Sequence, residues 1–313
     1  MEYKTSFEGQ GNEKGENMLD KLLDDIKRIS HNLKYEGAHE NANKDSKVLP
    51  TQRDLIAGEV SKYIALTELL PKEVAEAHQD GYIHVHDLTN APLGAYTNCC
   101  LVDLKGMLEN GFHLGNAEID TPKSITTATA ITAQIIAQVS SHQYGGTTIN
   151  RIDEVLEPYV ELSYNKHLEK GTFYGVKDPL KYAEDMTKKE VYDAFQALEY
   201  EINTLHTANG QTPFVTLGFG LGTSEYSKWI QTAILEVRLL GLGKHHKTAV
   251  FPKLTFTLKA GLNLEPDSPN YDIKQLALEC TSKRIYPDIL CYDRVVEVTG
   301  DFKAPMGEHL LPM

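Results

Sequence analysis

The feature that most constrains this chain is a change of period at Asn209-Gly210. Upstream, residues 188–207 place Val191, Phe195, Leu198, Ile202 and Leu205 at helical spacing. Downstream, strand and helix patterns alternate. TPFVTLGFG (212–220) reads as a strand, 224–240 as a helix, FPKLTFTL (251–258) as a strand, 271–285 as a helix and DILCYDRVVEV (288–298) as extended chain. Parallel strands need long crossovers, and an amphipathic helix is the usual one, so the alternation predicts an α/β fold with parallel strands.

The upstream half fits the same class. Residues 1–20 are rich in Gly, Glu, Asn and Lys and are expected to be poorly ordered. Helices are expected over 19–33, over 54–70 (Ile56, Val60, Tyr63 and Ile64 in register, Pro71 behind), over 124–143 up to Gly145-Gly146, and over 150–168. GYIHVHDL (81–88) alternates like a strand, and CCLVDL (99–104) reads as a buried one. With 313 residues, 41% of them hydrophobic, the chain can bury a sizeable core. No apolar run has the roughly 18 residues of a membrane span, and the polar N-terminus has no secretory signal. A net charge of −13 disfavours nucleic acid polymers as partners. The four cysteines form no CxxC pair, so no zinc ribbon is encoded, and reduced thiols in a cytoplasmic protein are expected.

Three groups of residues could carry chemistry. His84 and His86 would share one face of a strand, as metal ligands of hydrolases do, but that reading needs further ligands at later strand ends. His142, His206, His245 and His246 end no strand, so the plainer reading is hydrogen bonding inside the fold. Cys99 and Cys100 would point to opposite faces of a strand, one towards a pocket and one into packing. HTANGQTPFVTLGFG (206–220) passes from helix to turn to strand, a place where loops present ligand-binding amides or simply cap a helix.

Four strings go further: ENANKDSKVLPTQRDL (40–55), NCCLVDLKGML (98–108), TAQIIAQVSSHQYGGTTINRIDEVL (132–156) and HTANGQTPFVTLGFGLGTS (206–224). With KTAVFPKL (247–254) and ECTSKRIYPDIL (279–290), they resemble the anaerobic, glycyl-radical (class III) ribonucleoside-triphosphate reductases from about residue 40 to Gly307. The resemblance implies the first half of a ten-stranded α/β barrel of the glycyl-radical type. It implies reduction of ribonucleoside triphosphates to deoxynucleotides, with formate as reductant. A glycyl radical, installed by a radical-SAM activating enzyme, makes a thiyl radical on a finger-loop cysteine, and that thiyl takes the ribose 3′-hydrogen before the 2′-hydroxyl leaves as water. Cys99 matches the second cysteine, which faces the ribose and takes part in the reduction, with Cys100 as its packing neighbour. Asn98, Asn209, Gly210, Gln211, Thr212, Met306 and Gly307 fall where the family binds substrate. A homodimer with deoxynucleotide or ATP effectors is implied, its interface near 124–167.

The resemblance breaks after Gly307, where Glu308 stands in the thiyl position and a carboxylate cannot carry that radical. The expected division is therefore an N-terminal extension (1–39) with no ATP-cone, the barrel part (40–307) and a non-family tail (308–313). The family's zinc cysteines and glycyl-radical segment are missing from the 313 residues, so this polypeptide alone is expected to be inactive and prone to aggregate. Three rival readings remain. One is a pyruvate formate-lyase type of glycyl-radical enzyme, suggested by the adjacent cysteines. Another is a non-catalytic, dimerising fragment that binds an effector nucleotide. The third is a metal-dependent hydrolase resting on His84 and His86.

Overall fold

The computed structural model describes residues 13–31, 48–91, 99–143, 145–208 and 210–299. The chain divides into two compact units, Met1–Tyr96 with Ala208–Gln211, and Thr97–Thr207 with Thr212–Met313.

The first unit is helical. Helix α1 spans Glu13–Ser30, α2 spans Leu49–Ile64 and runs on as a π-helical stretch Ala65–Leu69, and α3 spans Lys72–Gln79. Helix α2 begins earlier than its periodicity suggests because Pro50 suits a first turn, where its missing N–H has no intrahelical partner to lose. It stops at Leu70, held extended ahead of Pro71. Ile29, Ala65, Ala75 and Leu88 are buried in this unit. The 81–88 segment is a correction, since it is a turn and not a strand. The backbone N–H groups of Tyr82 and Ile83 donate to Ala77 O, closing the end of α3, and that of Val85 donates to His78 Nδ1. Asp87 then turns left-handed at φ 55°. Donors already spent on a helix end cannot build a sheet ladder.

The second unit is the α/β part. In chain order it contains β1 (Cys100–Leu101), α4 (Leu104–Asn110), the hairpin β2 (Phe112–Leu114) and β3 (Ala117–Ile119), α5 (Ile125–Ser140), β4 (Thr147–Ile149), α6 (Ile152–Phe173) and α7 (Pro179–Thr204). It continues with β5 (Val215–Phe219), α8 (Glu225–Leu240), β6 (Lys253–Leu258), α9 (Tyr271–Lys283), β7 (Asp288–Cys291) and α10 (Tyr292–Thr299). One sheet has the order β1-β4-β5-β6-β7, every pair parallel. Each new strand joins beside the previous one, so uniformly handed crossovers lay their helices on a single face. Alternation along the strands shows which face. Ile149, Val215, Leu217, Phe219, Leu254 and Phe256 enter one hydrophobic core with Ile136, Leu156, Val160, Leu198 and Ile234 from the helices. Phe219 and Phe256 meet edge to face at 5.5 Å. Five parallel strands wound this way are the first half of a ten-stranded α/β barrel.

Two expected strands are shorter than their patterns. The 99–104 strand ends at Leu101, because Asp103 caps α4 by accepting from Gly106 N. The extended reading of 288–298 holds only to Cys291, where α10 takes over. The strand β4 is too short to register as a pattern. Helix α5 is capped by Ser124, whose Oγ accepts from Thr127 N. Its Ala128, Thr129, Thr132 and Ala133 are buried within the chain itself.

Candidate functional site

The helix-free face of the sheet carries Cys99 and bounds a cavity. Leu101 pairs with Thr148 and Cys100 with Thr147, so by the two-residue repeat of a strand Cys99 shares its face with Leu101 and Thr148. That face bounds a cavity of about 300 Å3 lined by Cys99, Thr148, Thr216, Lys253, Thr255 and Leu290, among others. Thr148, Thr216 and Lys253 form one row across three strands. Cys100 is paired on the core side with Thr147, and burial pushes its thiol pKa up from the ordinary cysteine value.

The cavity is lined by both polar and apolar side chains, Thr148, Thr216, Lys253, Thr255 and Asp288 against Phe214, Ile289 and Leu290. Among the described residues, Thr148 Oγ1 is buried without a hydrogen-bond partner, and so, outside the cavity's lining, are Thr257 Oγ1 and Asn150 Nδ2. Asn150 Oδ1 lies 2.7 Å from where a Cβ on Gly218 would sit, which places the amide against the glycine of β5. The Lys253 ammonium stands 4.6 Å from the centre of the Phe214 ring, a cation–π contact at the cavity wall. The Thr148 hydroxyl, beside the Cys99 thiol, the Lys253 ammonium and the Asp288 carboxylate, can meet a polar ligand, and leaving such a hydroxyl dry costs about 1–3 kcal/mol.

Of the residues singled out from sequence, Cys99 and Thr212 belong to the second unit and Gly210 and Gln211 to the first. Asn98, Asn209, Met306, Gly307 and Glu308 lie outside the described residues. Gly210 has φ 70° and offers its carbonyl to Thr51 Oγ1 at 2.9 Å. His84 lies between His78 and His86, with ring centres 5.6 and 5.7 Å away, and no group of three or more metal-type side chains converges among the described residues. No helix of the described residues is long and apolar enough to cross a membrane. Sequence reasoning missed the threonine row. Its signal is there in KLTFTL, where threonine alternates with core residues, and in the single Thr216 of VTLGF.

With this geometry in place, the comparisons are decisive for family. Residues 40–311 match the anaerobic ribonucleoside-triphosphate reductase family, and the chain belongs to it. It is 64% identical to the anaerobic ribonucleoside-triphosphate reductase of Haemophilus influenzae over 91% of this chain and 40% of that protein. It is 66% identical to the Escherichia coli enzyme over 86% of this chain and 38% of that one. For the phage T4 enzyme the figures are 56%, 90% and 47%. The chain thus spans about 40% of the length of the bacterial relatives it matches. The Thermotoga maritima anaerobic ribonucleotide reductase, solved with dATP and CTP, shares the fold at a TM-score of 0.55 and 17% identity, over 93% of this chain and 51% of that one.

Proposed function

We propose that this chain supplies the N-terminal half-barrel of an enzyme that reduces ribonucleoside triphosphates to 2′-deoxyribonucleoside triphosphates for DNA synthesis. The observation that carries the reading is Cys99 on the helix-free face, beside the threonine row, in a chain of this family. Cys99 is the thiol that faces the ribose, while Cys100 packs on the other side. Asn98, Asn209, Gly210, Gln211, Thr212, Met306 and Gly307 contribute to substrate binding. The glycyl radical belongs to the remainder of the barrel and supplies the radical that starts the reaction, formate supplies the electrons, and a radical-SAM enzyme installs the radical. The working form is a cytoplasmic homodimer with deoxynucleotide or ATP effectors. Because α5 buries its small residues within the chain, the stripe left for a partner is Thr126, Thr127, Gln134 and Gln138.

The test is an anaerobic assay with formate, a nucleoside triphosphate and activase. Residues 1–307 are joined to the C-terminal portion of the Escherichia coli relative, with a cysteine after Gly307. Deoxynucleotide formation by the joined chain is expected, lost in Cys99→Ala and retained in Cys100→Ala. The 313-residue polypeptide alone is expected to give none. Activity in the joined Cys99→Ala variant would refute the role of Cys99.

A further inference from the structure

Among the side chains lining the Cys99 cavity the cation is Lys253, and its ammonium has a defined place. It stands 4.6 Å from the centre of the Phe214 ring, on the chain entering β5. That ring lies against Gly146, since a Cβ built there would come within 3.2 Å of Phe214 Cδ1. Gly146 O accepts from Cys100 N at 3.0 Å, and the β1–β4 register sets Gly146 beside Cys99. The order along the cavity wall is therefore Cys99, Gly146, the Phe214 ring and the ammonium over that ring. Gly146 puts no side chain between the thiol and the ring.

Two polar groups on this wall lack a counterpart. Thr148 is 1% exposed, lines the cavity, and has no partner for its hydroxyl among the described residues. Lys253 has no ion-pair partner among the described residues. Asp288 lines the same cavity, but it lies on β7, the edge strand opposite β1. The ammonium leans the other way, over the chain that enters β5.

The position also limits the charge of a ligand. Cys99, Gly146 and Phe214 immediately precede β1, β4 and β5, and Lys253 is the first residue of β6. The site is thus at the N-terminal ends of the parallel strands. Helices α4, α6, α8 and α9 follow their strands and begin at the other ends, so none brings an N-terminus, the ordinary seat of a phosphate, to this one. One ammonium matches one negative charge. The cavity of about 300 Å3 is at the small end of ligand pockets, which run to about 1,000 Å3.

We infer that Lys253 holds the carboxylate of a small, singly charged acid in the cavity beside Cys99. The inference deepens the reading above, since formate, the reductant named there, belongs to this class. The Thr148 hydroxyl is a further donor on the same wall.

The experiment labels Cys99 of the 313-residue chain at pH 8 with iodoacetate, which carries a carboxylate, and with iodoacetamide, its neutral counterpart. Mass spectrometry follows each cysteine separately. The iodoacetate-to-iodoacetamide rate ratio at Cys99 is expected to exceed that of free 2-mercaptoethanol by at least about tenfold, from the attraction of one partly enclosed charge pair. It should fall towards the free-thiol value in Lys253→Met and persist in Lys253→Arg. Formate replacing chloride at constant ionic strength should slow iodoacetate labelling saturably. A free-thiol ratio at Cys99, an elevated ratio kept in Lys253→Met, or no iodoacetate labelling of Cys99 where exposed Cys291 is labelled overturns the proposal. If Lys253→Met does not fold, competition in the wild type decides. Protection by formate supports the carboxylate site, and its absence, with or without protection by inorganic phosphate, overturns it. Labelling needs no turnover, so this proposal can fail while the joined chain is active, and can hold where the joined chain is not.

Discussion

Removing one half of the buried Arg238–Glu199 pair should test how the helical layer is tied to the sheet. Arg238 of α8 is fully buried and Glu199 of α7 is 7% exposed at its side chain. The guanidinium reaches both carboxylate oxygens at 3.3 and 3.4 Å and donates through Nη2 to Pro252 O at 2.7 Å, next to the start of β6. Burial pushes the Glu199 carboxyl pKa up, against the opposing pull of Arg238. Arg238 Nη1 has no partner among the described residues, so the cation already sits in an under-satisfied site. Glu199→Gln preserves volume and an acceptor but leaves the guanidinium buried without its counter-charge. Breaking such a pair costs about 3–5 kcal/mol, whereas replacing both partners by apolar groups of similar size is often neutral or stabilising. Urea unfolding, followed through Trp229 fluorescence, should therefore show Glu199→Gln losing at least about 3 kcal/mol and Glu199→Leu with Arg238→Met losing much less. A single variant within about 1 kcal/mol of wild type, or a double variant worse than the single, would refute the argument from uncompensated charge.

Further expectations follow from local geometry. In Gly210→Ala the new Cβ would lie 2.4 Å from Thr51 Oγ1 and 2.9 Å from Thr51 N at a left-handed φ of 70°, so a loss of roughly 1–3 kcal/mol is expected in the urea midpoint. Cys280 is fully buried with its thiol pushed up to about 11, while Cys291 is exposed, so mass spectrometry after brief iodoacetamide treatment at pH 8 should find Cys291 alkylated and Cys280 not. Ser224→Ala removes the Oγ that accepts from Ser227 N at the start of α8 and should lower stability by about 1 kcal/mol in the same unfolding assay.

The long elements were legible because their patterns are long. Helices α5 to α9 and strands β5 and β6 lie within a few residues of where periodicity puts them, with one exception: α7 starts at Pro179, nine residues before its apolar register begins at 188. Its first turns are charged, with Lys181 paired to Asp185 and Lys188 to Glu184, and a solvated helical segment carries no hydrophobic period. GYIHVHDL misled for the opposite reason. Its alternation is real, but Tyr82 is 84% exposed and the backbone donors belong to the end of α3, a tertiary fact that no window of eight residues contains.

The candidate site was legible only in part, and the reason is the single-sided winding of the sheet. A strand in such a sheet gives one face to helices, and that face reads as Val215, Leu217, Phe219, Leu254 and Phe256. Its other face reads as Thr216, Gly218, Lys253, Thr255 and Thr257, which in isolation look like solvent-facing positions of a half-exposed sheet. Yet Thr148 and Thr257 are each 1% exposed, and their hydroxyls are unpaired among the described residues. A threonine bound for water has no reason to be buried, so these positions are not the solvent-facing ones they look like in isolation. Cys99 stands on the same face because the two-residue repeat carries it there from Leu101, and the same repeat sends Cys100 towards the helices. Alternation alone can thus separate two adjacent cysteines into a cavity thiol and a packing thiol. It cannot say which is which until the β1–β4 register fixes the face.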